Sequence, residues 1–161
     1  MSIESYQKTI LIHGLPDKEH LDLLKKRKIK EAFVMEGRPA LVGAKLLCKE
    51  LLKRKIKPIL ITDNMAGFLF YKNFVDEIWA TYQEQNEKGA VCQIGTLVLG
   101  VLGKRHNVSL NLVPSGFKSP KEGKQKDILE FNSVRVAPKG IKGYVPLIEF
   151  VSRQYISKVN V

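Results

Sequence analysis

The spacing of apolar and polar residues predicts a strand, a helix and a second strand in the stretch from Val34 to Asn64. A short apolar run, Ala32 to Met35, stops before Gly37, and apolar residues then recur at helical spacing between lysines from Leu41 to Leu52. The run from Pro58 to Thr62 is apolar and β-branched, which is typical of a buried parallel strand. Since such connections are right-handed, both strands end at the same edge of a sheet, where open α/β folds bind ligands.

The rest of the chain adds further elements of both kinds. The pattern predicts strands over residues 9–14, 74–81, 108–113 and 133–137 and a helix opened by Pro16 and Asp17. It also predicts a polar connection over 82–88, a buried helix over 90–103, a mobile surface loop over 119–130 and a last short helix over 147–156. Together these elements indicate an α/β fold with a mainly parallel sheet flanked by helices.

The length of the chain bounds the fold. With 161 residues, 44% of them hydrophobic, the chain suits a single domain with an ordinary core, and we expect residues 1–161 to form it. Its apolar segments fall short of the roughly 20 residues that span a bilayer, and its first ten residues do not form a secretory signal. We therefore expect a cytoplasmic protein with no membrane partner, in which Cys48 and Cys92 are reduced and packed.

The charge of the chain raises the question of a polyanionic partner. Lys and Arg number 27 against 16 Asp and Glu, which gives a net charge of +11. The lysines are scattered over predicted helix ends and loops. They greatly outnumber the arginines, and arginine is the residue that usually contacts bases and phosphates. This distribution favours a solvated cationic surface, and RNA binding stays open as the alternative.

Several familiar kinds of site are missing from the sequence. It contains no GxGxxG motif, and no Gly-x-Ser-x-Gly segment. None of His13, His20 and His106 has a second His or a Cys at metal-ligand spacing. We therefore expect neither a metal site nor a cofactor.

What remains is a group of polar residues at the predicted carboxyl ends of the strands. Its members are His13, Glu36, Arg38, Asp63, Asn64 and Ser115. Arg38 follows Gly37 where a helix begins, so an anion would meet both a guanidinium and free backbone N–H groups. Alternatively, Arg38 pairs with Glu36 or Asp63 and holds the edge together. The simplest role for Asp63 is to cap a helix from Asn64 to about Tyr71.

Short motifs in a fixed order carry a family resemblance. They are Glu36-Gly37-Arg38-Pro39 with Gly43 after it, Ile61 to Gly67, Val75-Asp76, and Ile94-Gly95-Thr96. From about Thr9 to Pro138 the chain resembles the methylthioribose-1-phosphate isomerases and the alpha, beta and delta regulatory subunits of translation initiation factor two-B. The resemblance implies their C-terminal Rossmann-like domain, akin to the ribose-phosphate isomerase and CoA-transferase fold, and a homodimer. The family's helical N-terminal domain is expected to be absent.

Departures from the isomerase pattern bear on catalysis. Where the resemblance places the isomerases' catalytic cysteine the chain has Gly14, and Gln83 stands in place of their aspartate. Neither side chain can exchange a proton near neutrality. Polar residues that the family pattern places near the phosphate are also replaced. Val42 stands where the family has a glutamine, and Cys92-Gln93 stands where it has Asn-Lys. The loop from Ser115 to Lys118 is closer to the Ser-Phe-Lys loop of the regulatory subunits.

The resemblance and the departures from it together imply that the protein is a diverged, non-catalytic member of this family. We expect it to bind a small phosphorylated ligand, a sugar phosphate or a nucleotide, or a protein partner at the strand edge. The expected ligand-binding residues are His13, Gly37, Arg38, Asp63, Asn64 and Ser115. One alternative is a sugar-phosphate isomerase with Asp63 as general base and Arg38 holding the phosphate. Another is an RNA- or ribosome-associated module, and a helical-domain or translation-related protein is a further expected partner.

Overall fold

The computed structural model describes residues 9–161, which form ten strands and five α-helices. The strands are β1 (Ile10–His13), β2 (Glu31–Met35), β3 (Lys57–Ile61), β4 (Glu77–Asn86), β5 (Gly89–Gln93), β6 (Ser109–Pro114), β7 (Glu130–Phe131), β8 (Val134–Arg135), β9 (Ile148–Ser152) and β10 (Lys158–Val159). The helices are α1 (Lys18–Lys26), α2 (Cys48–Lys53), α3 (Ala66–Tyr71), α4 (Thr96–His106) and α5 (Lys126–Leu129). A π-helical turn, Gly43–Leu47, precedes α2, and short 3₁₀ turns, Asp63–Met65 and Arg153–Tyr155, complete the set.

Eight of the strands form one sheet. Its main path runs β10-β6-β4-β1-β2-β3, and every neighbouring pair on that path is parallel. The long strand β4 continues past this parallel part and pairs antiparallel with β5, which in turn pairs antiparallel with β9. The strands β7 and β8 form a separate hairpin. The predicted α/β fold with a mainly parallel sheet is therefore confirmed.

Helices cover both faces of the sheet, and each face has its own core. Leu21, Leu24, Leu47 and Leu51 of the α1 and α2 region pack against one face. Residues of α3 and α4, among them Leu69, Phe70 and Leu99, pack against the other. Side chains alternate along β1, so that Ile10 and Ile12 join the first core and Leu11 joins the second. By the same alternation, His13 lies on the α3 and α4 side of the sheet.

At the amino ends of the strands a buried carboxylate organises a polar network. The Glu77 carboxylate accepts hydrogen bonds from Arg27 (2.6 Å) and from the indole N–H of Trp79 (2.7 Å). It also accepts one from the Asn111 amide (2.9 Å), and the Arg27 guanidinium lies 5.5 Å from the centre of the Trp79 ring. These hydrogen bonds hold the pKa of the Glu77 carboxyl below its ordinary value, although burial opposes them.

The prediction for β3 was wrong in one respect, because this strand is not buried. It lies at the edge of the sheet and pairs only with β2 among the described strands. Leu60 is 51% exposed. The apolar, β-branched sequence of β3 is therefore that of an edge strand, paired on one side among residues 9–161.

Three predictions in the second half of the chain were also wrong. Residues 82–88 are not a loop, since β4 runs through them to Asn86 and turns directly into β5. Residues 90–103 are not one helix, because their first part is β5 and the helix begins at Thr96. Residues 147–156 hold the strand β9 rather than a helix. In the last two cases antiparallel pairing takes up apolar residues that a helix could also have buried, whereas the polar residues 84–86 pair with β5 through their backbones.

Candidate functional site

The carboxyl ends of β1, β2 and β3 meet at one edge of the sheet, as predicted, and Asp63 ties two of them together. Its carboxylate accepts hydrogen bonds from the backbone N–H of Gly37 (2.9 Å) and of Arg38 (2.7 Å). Gly37 has a φ of +74°, a conformation that suits glycine and that directs the loop towards Asp63. The loop after β2 is thus fixed to the end of β3.

This contact overturns the predicted role of Asp63 as a helix cap. The residue before the 3₁₀ turn is Thr62, and the Thr62 hydroxyl donates to the Asn64 side chain (2.7 Å) rather than capping the helix. Asp63 turns back over the sheet edge because two N–H groups of the neighbouring loop are in reach there. The expectation that the N–H groups of Gly37 and Arg38 are free for an anion is therefore also wrong.

Arg38 does not form the ion pair with Glu36 or Asp63 that was one of the two roles predicted for it. Its guanidinium lies 4.9 Å from the centre of the Phe131 ring, in a cation–π contact with the β7–β8 hairpin. Among residues 9–161 the guanidinium forms no ion pair with Glu36, Asp63 or any other carboxylate. Burial and the charge of Asp63 raise the pKa of the Glu36 carboxyl, against a smaller opposing effect of Arg38.

His13 is deeply buried at this edge, with 1% of its surface exposed. Its Nε2 lies 2.8 Å from the carbonyl oxygen of Ile94. Because a carbonyl oxygen can only accept, Nε2 carries the proton and Nδ1 is left as an acceptor. Burial lowers the pKa of the imidazole below 6.5, although the hydrogen bond to Ile94 and the charges of Asp63 and Glu149 oppose this effect.

Gln93 and Thr81 also belong to this edge, and the sequence did not single them out as a pair. A Cβ added to Gly14 would overlap the Thr81 hydroxyl and lie 3.1 Å from Gln93 Oε1. A Cβ added to Gly37 would lie 2.8 Å from Gln93 Nε2. The Thr81 side chain is therefore packed against the loop after β1, and the Gln93 side chain against the loops after both β1 and β2. The signal available in the sequence was a glycine close to the end of each strand: Gly14 directly after β1 and Gly37 two residues after β2.

The amino end of α4 closes the edge from the other side. Gly95 has a φ of +99° and precedes the helix, and the Thr96 hydroxyl donates to the Gln93 carbonyl (2.7 Å). The backbone N–H of Leu97 donates to the Glu149 carboxylate of β9 (2.8 Å). Glu149 therefore caps the amino end of α4, although it belongs to β9. The sequence did not indicate this role.

Ser115 and Gln83 are engaged in loop structure. The Ser115 hydroxyl donates to the carbonyl of Phe117 (2.7 Å). The Gln83 amide donates to the Ser119 carbonyl (3.2 Å) and accepts from the Ser119 N–H (2.9 Å), so both of its ends are used. The two residues line a cavity of about 10 Å³, which holds about one water molecule.

The described chain contains few other reactive groups. Both cysteines are free thiols, and burial raises the pKa of Cys92 to about 12, so that it stays protonated near neutrality. Within residues 9–161 no three His, Cys, Asp or Glu side chains are grouped so that they could hold a metal ion. None of the helices in that range has both the length and the apolar character needed to cross a bilayer.

Comparisons with known proteins agree on one family. Residues 7–159 match the model of the Initiation factor 2 subunit family. A methylthioribose-1-phosphate isomerase of Syntrophus aciditrophicus is 34% identical over 141 residues, which are 80% of this chain and 38% of that protein. Methylthioribose-1-phosphate isomerase 1 of Pseudothermotoga lettingae is 31% identical over 83% of this chain and 42% of its own length. The chain spans about two-fifths of the length of these relatives.

Two solved structures have the same fold. The delta subunit of translation initiation factor eIF-2B from A. fulgidus has a TM-score of 0.83 at 18% identity, covering 94% of this chain and 51% of its own. The 5-methylthioribose 1-phosphate isomerase of Pyrococcus horikoshii OT3 has a TM-score of 0.83 at 23% identity, covering 95% of this chain and 49% of its own.

Proposed function

Because the chain belongs to the Initiation factor 2 subunit family, we propose that it is a non-catalytic member that binds a small phosphorylated ligand at the carboxyl edge of its sheet. Arg38 holds the phosphate, and His13, Gly37, Asp63, Asn64 and Ser115 form or support the surrounding site. The protein acts as one α/β domain, residues 1–161, that forms a homodimer in the cytoplasm.

The observation that supports this proposal most directly is the state of the Arg38 side chain. It is partly buried and rests on Phe131, while the Asp63 carboxylate binds backbone N–H groups instead of the guanidinium. A guanidinium without a carboxylate partner keeps its donors available for a phosphate, which it can bind through two parallel hydrogen bonds. The aromatic ring holds the planar group in place without neutralising its charge.

Two positions support the absence of isomerase chemistry. Gly14, with a φ of +87°, is packed so closely against Thr81 that a side chain has no room there. The Gln83 amide is bound at both ends to the Ser119 backbone. We do not assign Asp63 the role of general base, because both of its carboxylate oxygens accept backbone hydrogen bonds.

Thermal denaturation with a panel of sugar phosphates and nucleotides tests the proposed site. A ligand at about 100 times its dissociation constant adds roughly 2.7 kcal/mol to the free energy of unfolding, which raises Tm measurably. We expect this rise in the wild type and its loss in Arg38→Ala. Arg135→Ala is the matched control, since it removes one arginine of the β7–β8 hairpin whose hydrogen bond is to the Pro138 carbonyl. An equal rise in Arg38→Ala, or no rise with any compound, contradicts the proposal.

The second candidate function is isomerisation of methylthioribose 1-phosphate, which the names of the relatives at 31% and 34% identity favour. Consumption of that compound by the purified protein is the direct test. We expect none above the rate in buffer. Turnover that scales with protein concentration and disappears in Arg38→Ala would establish the second candidate in place of the first.

A further inference from the structure

The sequence Lys-Arg-Lys-Ile-Lys occurs twice in the chain, at residues 26–30 and 53–57. The first copy ends α1 and leads into β2, and the second copy ends α2 and leads into β3. Because β2 and β3 are parallel neighbours, the two copies lie side by side, and the backbone N–H of Lys57 donates to the carbonyl of Lys30 (2.8 Å). The fold therefore brings two basic segments together at the amino ends of these strands.

The two copies also have the same conformation. In each, the middle lysine has a positive φ, which is +58° at Lys28 and +60° at Lys55. The isoleucine that follows, Ile29 or Ile56, donates its N–H to the carbonyl of a leucine five residues earlier. This is the Schellman ending of a helix, and in both copies the isoleucine packs against the same core. The two lysine-rich segments are therefore structurally equivalent.

Within each copy the side chains divide between protein and solvent. The arginines bind carboxylates of the protein, since Arg27 pairs with Glu77 and Arg54 pairs with Asp22 and Glu50. All the lysines of both copies are exposed, and we call them the lysine patch: Lys26, Lys28, Lys30, Lys53, Lys55 and Lys57. Within residues 9–161 only Lys53 of this patch forms an ion pair, with Glu50. The other lysines of the patch therefore have no carboxylate partner in the described chain.

The ends of α3 and α4 show that a lysine is not needed at the left-handed position. Each of these helices is also followed by a residue of positive φ, which is Asn73 (+55°) after α3 and Asn107 (+57°) after α4. Asparagine tolerates this conformation better than lysine, whose placement there costs conformational free energy. At Lys28 and Lys55 the chain accepts that cost, and it also places like charges close together, where they repel each other. An anion bound across both segments would offset the two costs.

The composition of the two copies indicates which anion fits. Their exposed side chains are all lysine, so they offer no aromatic ring for stacking on bases, and their arginines are already paired. They also offer no exposed apolar side chain for insertion into a bilayer, because both isoleucines pack on the core. Glu31, beside Lys30, is exposed and offsets one charge. A nucleic acid duplex carries about one negative charge per 1.7 Å of its axis, which suits such a dense cluster of cations.

We propose that the lysine patch binds the phosphate backbone of a nucleic acid duplex, independently of base sequence. The patch lies at the amino ends of β2 and β3, whereas Arg38 follows the carboxyl end of β2, so this inference does not depend on the proposed function. Binding to phosphates releases counterions and therefore weakens as salt is added. With contacts from the five unpaired lysines, we expect a loss of about 500-fold in affinity between about 50 and 200 mM salt.

Fluorescence anisotropy of a labelled RNA duplex of mixed sequence, measured over a range of salt concentrations, tests the proposal. Lys28→Asn combined with Lys55→Asn gives α1 and α2 the residue that follows α3 and α4, so we expect an unchanged or higher Tm. The loss of two contacts should reduce the slope of log affinity against log salt by about 1.8 and weaken binding at low salt by at least about tenfold.

The matched control removes the same charge elsewhere. Lys139→Asn combined with Lys142→Asn changes two exposed lysines of the segment between the β7–β8 hairpin and β9, and we expect affinity within about threefold of the wild type. Equal weakening in the two double variants would overturn the proposal, because net charge and not the patch would then attract the duplex. Absence of binding, or binding that changes little with salt, would overturn it as well.

Three further arms identify the source of the phosphates and separate the sites. A DNA duplex of the same sequence should bind if charge density alone is recognised, and a preference for RNA would identify RNA as the partner. Retention on vesicles of phosphatidylserine and phosphatidylcholine in equal parts, with no binding to either duplex, would overturn the proposal in favour of a membrane surface. Arg38→Ala should bind the RNA duplex as the wild type does, and loss of binding in this variant would place the duplex at the other edge of the sheet.

Discussion

The buried polar groups at the amino ends of the parallel strands have hydrogen-bond partners, whereas some of those at the carboxyl ends do not. At the amino ends, Glu77 accepts from Arg27, Trp79 and Asn111, so a buried charge is surrounded by matching donors. At the carboxyl ends, the Nδ1 of His13 is unpartnered and Arg38 has no carboxylate among residues 9–161. The buried polar groups of the first end are paired within the described chain, whereas His13 Nδ1 and the Arg38 guanidinium have no polar partner there. We infer that the buried polar groups at the amino ends stabilise the fold and that those at the carboxyl ends are available to bind a ligand.

The largest expected effect comes from breaking the complete end. Glu77→Ala leaves the Arg27 guanidinium, the Trp79 indole and the Asn111 amide without their acceptor, and we expect a loss of about 3–5 kcal/mol in the free energy of unfolding. Urea denaturation followed by circular dichroism measures it. Glu84→Ala, which breaks the exposed pair with Lys118, is the control and should change little. A small loss in Glu77→Ala would remove the contrast between the two ends.

A smaller loss is expected when a side chain is forced into the carboxyl end. Gly14→Cys combines a left-handed backbone with an overlap at Thr81, and we expect a loss of about 2–4 kcal/mol in the free energy of unfolding. Gly140→Cys is the matched control, because Gly140 has a φ of +85° and open space around it. It should show the backbone cost alone, about 1 kcal/mol. Equal losses in both variants would mean that Thr81 moves aside without cost.

The smallest effect is a pH dependence that originates at His13. Burial lowers the pKa of the His13 imidazole in the folded protein below its ordinary value of 6.5. At pH values between this lowered pKa and 6.5, the unfolded chain therefore binds a proton that the folded chain does not. The free energy of unfolding is therefore fully retained above pH 6.5 and falls as the pH is lowered, by at most about 1.4 kcal/mol per pH unit. His13→Gln should flatten the curve between pH 6.5 and 5. Parallel curves for the two proteins would contradict the assignment to His13.

Much of the first half of the chain was predictable because its signals are local. The run from Ala32 to Met35 and the run from Pro58 to Ile61 each announce a strand, and the handedness of the connection brings Gly37 and Arg38 to Asp63. What Asp63 does there was not predictable, since an aspartate before a helix usually caps it. Only the folded sheet shows that two N–H groups 25 and 26 residues upstream are in reach.

The second half was less predictable because its pairing is a tertiary property. Residues 90–92 are as apolar as the helix that follows them, and no charged residue or proline separates the two patterns. What makes them a strand is the presence of β4 on one side and β9 on the other. Phe131 shows the same limitation within the site, since nothing near it in the sequence indicates that its ring lies against Arg38.

The edge position of β3 has a consequence for how the protein avoids self-aggregation. The N–H of Lys57 and the carbonyl of Ile61 bind towards β2, so the alternate residues, Pro58 and Leu60, present their backbones to the outside. An exposed apolar edge usually recruits strands from other molecules, but a proline has no N–H to offer and interrupts the row of donors. Pro58 therefore disfavours the pairing of β3 with strands of other molecules, which the exposed Leu60 would otherwise promote.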